Sequence, residues 1–318
     1  MKTYLYWITL ILLISACSKD AGGDKDIPGP GTGSGTTPLG AGVIYYDWAT
    51  DGLLKLDLTT SVKSSFVTYS TRRNGWDVSR DNTWVLESRD HPDDYDAELY
   101  TITNVKDNTI VSQFKKFSGY ANLTSPLLSY DKQLILVPPT YDDGVMILDL
   151  QGKVLFNLIS FQGKKLDGRA IWMPDNTFLF SQGNSIYRTN KEFTNATLVK
   201  TFNFDTWGHF SVSPDGTKLA LKGGNHLWMM NMDGSNLTQV TESNWTEVWP
   251  VFSPDSKYLL IGYDYMLTNQ WGRWWRMAVI PADFKKYNVG DNADNGVIRL
   301  VAKGESIAEA ASGVTLWR

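Results

Sequence analysis

The side chains able to do chemistry are few in this chain. Its 318 residues hold three histidines, His91, His209 and His226, too far apart in sequence for a local metal-binding spacing. No Gly-x-Ser-x-Gly elbow is present, and no phosphate loop or dinucleotide fingerprint follows a strand-like run. The lone cysteine, Cys17, excludes both an intramolecular disulfide and a thiolate zinc site. Asp93, Asp94 and Asp96, just after His91, supply oxygen donors of the kind calcium takes. Their spacing is not that of an EF-hand, however, and Pro92 makes the segment read as a solvated turn, so no metal and no cofactor is assigned. The most aromatic stretch runs from Asn269 to Arg276. Trp271, beside Gly272 in a loop, suits an exposed stacking platform. Trp274 and Trp275 are adjacent in a strand and face opposite ways, so one of them packs inward.

Composition narrows the partners. Thirty basic against 34 acidic residues give a net charge of -4, which leaves no electrostatic footprint for a phosphate backbone and argues against nucleic acid. With 42% hydrophobic and 20% charged residues the chain is globular, and 13 Trp, 15 Tyr, 13 Phe and 27 Gly point to many short strands joined by tight turns.

A repeat positions the candidate residues. The turn-like segments Ser79-Arg80-Asp81-Asn82, Ser129-Tyr130-Asp131-Lys132, Met173-Pro174-Asp175-Asn176, Ser213-Pro214-Asp215-Gly216 and Ser253-Pro254-Asp255-Ser256 each precede an apolar run. Proline presets φ at a turn, Asp bonds back to its own backbone, and Gly216 supplies positive φ. The aspartates lie 50, 44, 40 and 40 residues apart, the period of a four-stranded propeller blade. Further along each unit lies a second alternating run such as Leu99-Tyr100-Thr101-Ile102 or Leu227-Trp228-Met229-Met230. A fourth strand is predicted at Thr238 to Thr241.

The amino-terminal unit starts out of phase. Val43 to Tyr46, Leu53 to Asp57 and Ser65 to Val67 match second, third and fourth strands with no first, and Gly313 to Trp317 resembles an inner strand cut off before its turn. The last residues are therefore predicted to complete the first blade and close the ring. Residues 43–318 allow 46 residues for each of six blades. The expected fold is all-β: a six-bladed β-propeller of four-stranded antiparallel blades.

Ahead of it, Met1 and Lys2 precede an apolar stretch from Tyr4 to Ile14, the pattern of a signal peptide over 1–16. Leu13-Ile14-Ser15-Ala16-Cys17 resembles the lipobox of bacterial lipoproteins, which implies cleavage before Cys17 and its lipidation. Residues 17–42, rich in Gly and Pro, form a tether. Asp20, Asp24 and Asp26 resemble the acidic export signal of lipoproteins from Bacteroidetes-type bacteria. The implied location is the outer membrane, lipid-anchored and facing the cell surface, with the periplasmic face as the alternative. The membrane is met only through the lipid.

Ser213-Pro214-Asp215-Gly216-Thr217-Lys218-Leu219-Ala220, followed by Leu227 to Gly234, resembles the repeat of the TolB-type propeller family. The chain lacks the extra amino-terminal α/β domain of TolB itself. By analogy with propellers, ligands meet the face where the loops leading into inner strands and the loops between second and third strands converge. That rule places Arg72, Arg73, Trp76, Tyr120, Asn122, Arg169, Trp207, His209, Trp245, Glu247 and Glu309 on the first set, and His91 to Asp96, Tyr141 to Asp143, Asn225 and His226, and Asp264 to Trp275 on the second. Arg73, Trp207, His209, Trp245, Glu247, Trp271 and Arg273 are the candidate ligand-binding residues. Trp48, Trp84, Trp172, Trp228, Trp249 and Trp317 fall on or beside strands and are expected in the core. The leading expectation is a non-catalytic, monomeric scaffold for a protein partner at the envelope. One alternative is a surface glycan-binding protein, with tryptophans stacking on sugars. The other is a metal-dependent polysaccharide lyase of propeller type, which requires His209 and His226 to converge.

Overall fold

A computed structural model of the protein describes residue 39 and residues 42–117, 123–140, 144–166, 168–268 and 272–318. Cys17, the signal peptide, Tyr120, Asn122, Tyr141 to Asp143 and Trp271 lie outside the described residues. Those described contain no helix. They form five small antiparallel sheets of four strands and one of five, in which Ala310–Ala311 also pairs with Gly272–Pro281, each ordered from an inner strand outward, and these six make up a six-bladed propeller. In blade five, for example, Trp207–Val212, Lys218–Gly223, His226–Asn231 and Thr238–Gln239 follow one another across the sheet.

The turns between first and second strands explain the repeated Ser-x-Asp. Ser79, Ser129, Ser213 and Ser253 each donate Oγ–H to the following aspartate at 2.6 Å. Each hydroxyl also accepts the amide of the residue that begins the next strand, Trp84, Leu134, Lys218 or Tyr258, at 2.9 Å. The aspartates accept from amides two residues on, so the serine hydroxyl and the aspartate are both satisfied within the turn. Gly216 has φ +72 as expected, but Asn82, Lys132, Asn176 and Ser256 occupy the same left-handed conformation in the other blades. Three of these four turns carry the serine–aspartate bond, while in the blade-four turn, which begins with Met173, Asp175 accepts from Thr177 instead.

Ring closure follows the sequence pattern. Thr315–Trp317 is the inner strand of blade one and pairs with Val43–Trp48, placing Leu316 opposite Tyr45 and Trp317 opposite Ile44. Val43 N–H donates to Arg318 O at 2.6 Å, and Arg318 N–H returns a bond to Val43 O at 2.9 Å. Arg318 then reaches into blade two, where its guanidinium meets Asp77 at 2.8 Å and the Val78 carbonyl at 2.6 Å. Asp77 also accepts the Leu128 amide of blade three at 2.8 Å. One buried carboxylate thus joins three blades, and a buried carboxylate with a full set of donors is the arrangement that low-dielectric surroundings require.

Apolar side chains fill the wedges between blades. Trp275 and Trp317 are fully buried in the cluster that seals blade six against blade one, together with Tyr46 and Met277. Trp275, not Trp274, is therefore the inward-facing member of the pair. The fourth strand of blade five is shorter than predicted. Thr238–Gln239 pairs within the blade, whereas Thr241–Glu242 runs parallel to Tyr287–Asn288 of blade six. Val240, between them, is buried in the cluster that holds these two blades together.

Candidate functional site at the channel mouth

The inner strands of all six blades enclose a central cavity of about 280 Å3. Its character is set by four arginines, Arg80, Arg169, Arg273 and Arg318, against one acid, Asp77, which Arg318 already engages. Arg169, His209 and Trp249 stand six residues ahead of Asp175, Asp215 and Asp255, so three consecutive blades place them at the same level of the channel.

Two β-bulges aim His209 and Trp249. Pairing between Trp207–Val212 and Lys218–Gly223 shifts register between Gly208 and Ser211, and pairing between Val248–Phe252 and Tyr258–Thr268 shifts between Val248 and Val251. Bulges re-direct side chains and are common beside binding sites. His209 at φ +47 and Trp249 at φ +51 both adopt the left-handed conformation. For a residue as bulky as tryptophan this is strained, and surrounding contacts must hold it.

Those contacts form a stack. The His209 and Trp249 rings lie 4.1 Å apart and within 12° of parallel, and Trp275 stacks on Trp249 at 5.8 Å. The Arg169 guanidinium sits 5.0 Å from the Trp249 ring centre and that of Arg273 sits 5.8 Å from it. Burial lowers the Arg169 guanidinium to about 10, so it remains protonated near neutrality. Burial, and then the charges of Arg169, Lys222 and Arg273, press His209 down to about 3, so its imidazole is neutral. Arg169 Nε, His209 Nδ1, Trp249 Nε1 and Ser211 Oγ are buried with no hydrogen-bond partner among the described residues.

Of the residues nominated from sequence, His209 and Arg273 line this cavity, and Arg73, Trp207, Trp245 and Glu247 do not. Arg73 is held inside blade two by Glu87 at 2.6 Å and the Thr68 carbonyl at 2.7 Å. Trp207 packs on Phe202 at 4.8 Å, with Nε1–H donated to Gly183 O at 3.2 Å. Trp245 leans on Tyr263 at 5.6 Å. Glu247 is fully buried, accepting from Thr241 Oγ1 at 3.0 Å and from Ser243 Oγ, and pairing with His226 Nδ1 at 2.7 Å. His209 and His226 thus have separate partners, and no group of three or more His, Cys, Asp or Glu side chains suited to a metal gathers among the described residues. In the acidic loop, Asp94 pairs with Lys115 and the Asp93 amide donates to His91 Nδ1 at 3.2 Å.

Trp249, expected in the core because it borders a strand, does pack against the core cluster, but it also lines the cavity, a role the sequence reading did not give it. Its position relative to Asp255, matching that of His209 to Asp215 and Arg169 to Asp175, was the available signal.

No protein-family model matches the chain, and no curated protein does. Solved structures do. A protein from Agrobacterium tumefaciens assigned as TolB is 16% identical, with a TM-score of 0.51 over 78% of this chain and 87% of its own. TolB from Acinetobacter baumannii is 15% identical, with a TM-score of 0.57 over 87% of this chain and 66% of its own. A chain of a nidogen/laminin complex is 10% identical, with a TM-score of 0.57 over 81% of this chain and 93% of its own. At such identities the likeness concerns architecture, and the chain has the six-bladed propeller fold seen in TolB proteins.

Proposed function

We propose that the chain is a non-catalytic interaction scaffold, anchored by lipid on Cys17 to the outer membrane of a bacterial envelope, that presents the channel mouth to a protein partner. The carrying observation is the shape of that face. The hairpins Trp84–His91 with Asp94–Asn104 and Tyr258–Thr268 with Gly272–Pro281 contain the longest strands of the molecule. They join second to third strands, on the side where the mouth opens, and carry Tyr95 at 86% and Leu267 at 78% exposure. Exposed aromatic and aliphatic groups around a charged centre are what a protein partner recognises.

The channel chemistry favours this over the alternatives. His209 is neutral and stacked, poorly suited to proton transfer near neutrality. His209 covers one face of Trp249 and Trp275 stacks on it as well, while Trp207 and Trp245 are half-buried against aromatic neighbours, so none of the three offers a sugar a free ring. A fold shared with TolB and with a chain of the nidogen/laminin complex is compatible with protein binding but does not by itself carry function.

The test is site-specific photo-crosslinking in cells. A photoreactive residue at Tyr95 or Leu267 is expected to give a discrete protein adduct, while one at Val62 or Val154, on outer strands, is not. Adducts of equal yield at all four positions, or none at Tyr95 and Leu267, contradict the reading.

A further inference from the structure

The channel mouth carries more positive charge than the rest of the molecule accounts for. Arg169 and Arg273 have no carboxylate partner among the described residues, although acidic residues outnumber basic ones in the chain. Arg273 is exposed on the blade-six hairpin, whereas Arg169 is half-buried with its Nε sealed from water, and a charged group with a buried donor is ordinarily paired because leaving it unpaired is costly. Elsewhere in this protein the rule is obeyed: Arg318 has Asp77 and Arg73 has Glu87. Around Arg169 the other polar atoms are likewise short of partners, and they include two donors, Trp249 Nε1–H and the Ser211 hydroxyl. The strained backbone at His209 and Trp249 is held by the ring stack around them.

We infer that this mouth is a carboxylate-binding site. Arg169, whose Nε is buried and without a partner, would receive the carboxylate in fork geometry, with Arg273 closing on it from the blade-six hairpin and Trp249 Nε1–H available as a neutral donor. The neighbouring imidazole is neutral and adds no charge of its own. Faces of Trp249 are covered by ring neighbours, so recognition runs through charge and hydrogen bonds and not through stacking of a sugar. The carboxylate is that of a Glu or Asp side chain in the protein partner. The inference rests on the scaffold reading for this source only; the site itself does not depend on it.

The experiment titrates the purified chain with glutarate, with the peptide acetyl-Gly-Glu-Glu-Gly-amide, with its Gln-Gln analogue and with an oligogalacturonate, following tryptophan emission and heat of binding. Glutarate and the Glu peptide are expected to bind, with the Gln analogue at least about tenfold weaker, as expected for loss of a charged hydrogen bond. Arg169→Gln and Arg273→Gln should each weaken the peptide by about tenfold or more, while Arg72→Gln, at an exposed position outside the cavity, should not. Arg273 is exposed and meets the rest of the site through its ring contact with Trp249, so its variant remains folded and the test does not depend on Arg169→Gln alone. Binding of oligogalacturonate but not of the peptide overturns the protein source. Absence of binding by every carboxylate, or affinities unchanged in both variants, overturns the site, while the crosslinking pattern at Tyr95 and Leu267 judges the scaffold reading separately.

Discussion

His209 illustrates how one side chain reports on its surroundings. Its imidazole has an ordinary value of 6.5 and is lowered to about 3 in the folded chain, first by burial and then by Arg169, Lys222 and Arg273. Between those two values the unfolded chain binds a proton that the folded chain refuses. Stability is therefore complete above pH 6.5 and declines as pH falls toward 3. His209→Asn removes the titration and retains a residue that tolerates φ +47. Thermal melts at about pH 7 and about pH 5 should show a smaller drop in Tm for the variant than for the parent. Equal drops would mean that His209 is not held neutral by its cationic neighbours. At this scale the sequence was read with mixed success. The types of Arg169, His209 and Arg273 and their end of the blades were legible, because polar groups near strand ends stand out against apolar runs, although His209 and Arg273 lie within strands and not in the loops expected for them. Trp249 was not, since strand periodicity alone assigns an indole to the core, and only the bulge between Val248 and Val251 turns it toward the channel.

Among the elements, the blade-six hairpin links the core to the mouth. Gly262 lies in Tyr258–Thr268, and a Cβ added there would come within 2.3 Å of Trp275 Cδ1. Trp275 is fully buried and stacks on Trp249, so it has no open space to retreat into without disturbing the ring pair above it. Gly262→Ala should cost about 1–3 kcal/mol, the usual penalty for overpacking a tight core. Urea unfolding followed by tryptophan emission measures this as a lower midpoint with an altered native spectrum; an unchanged midpoint would contradict the packing. The strands themselves were readable because each Ser-x-Asp turn fixes where the next apolar run begins. The parallel pairing of Thr241–Glu242 with Tyr287–Asn288 was not, because it depends on Val240 burying itself against a neighbouring blade, a contact with no local sequence pattern.

For the whole molecule, the repeat count and the out-of-phase beginning at Val43 were enough to anticipate six blades and closure by the last residues. The three-way junction of Arg318, Asp77 and the Leu128 amide was beyond sequence reasoning, since its members lie in three different blades. Closure is what holds the inner strands at the spacing that brings Arg169, His209, Trp249 and Arg273 around one channel. An open ring would expose the edge of Val43–Trp48 and leave Asp77 without its guanidinium. The most direct test removes residues 314–318 and compares thermal unfolding of the shortened and full-length chains by far-UV circular dichroism. The closed ring predicts that the shortened chain loses its single cooperative transition or melts at least about 10 °C lower, as loss of an inner strand and a buried ion pair requires. A shortened chain that melts as sharply and at the same temperature would contradict it.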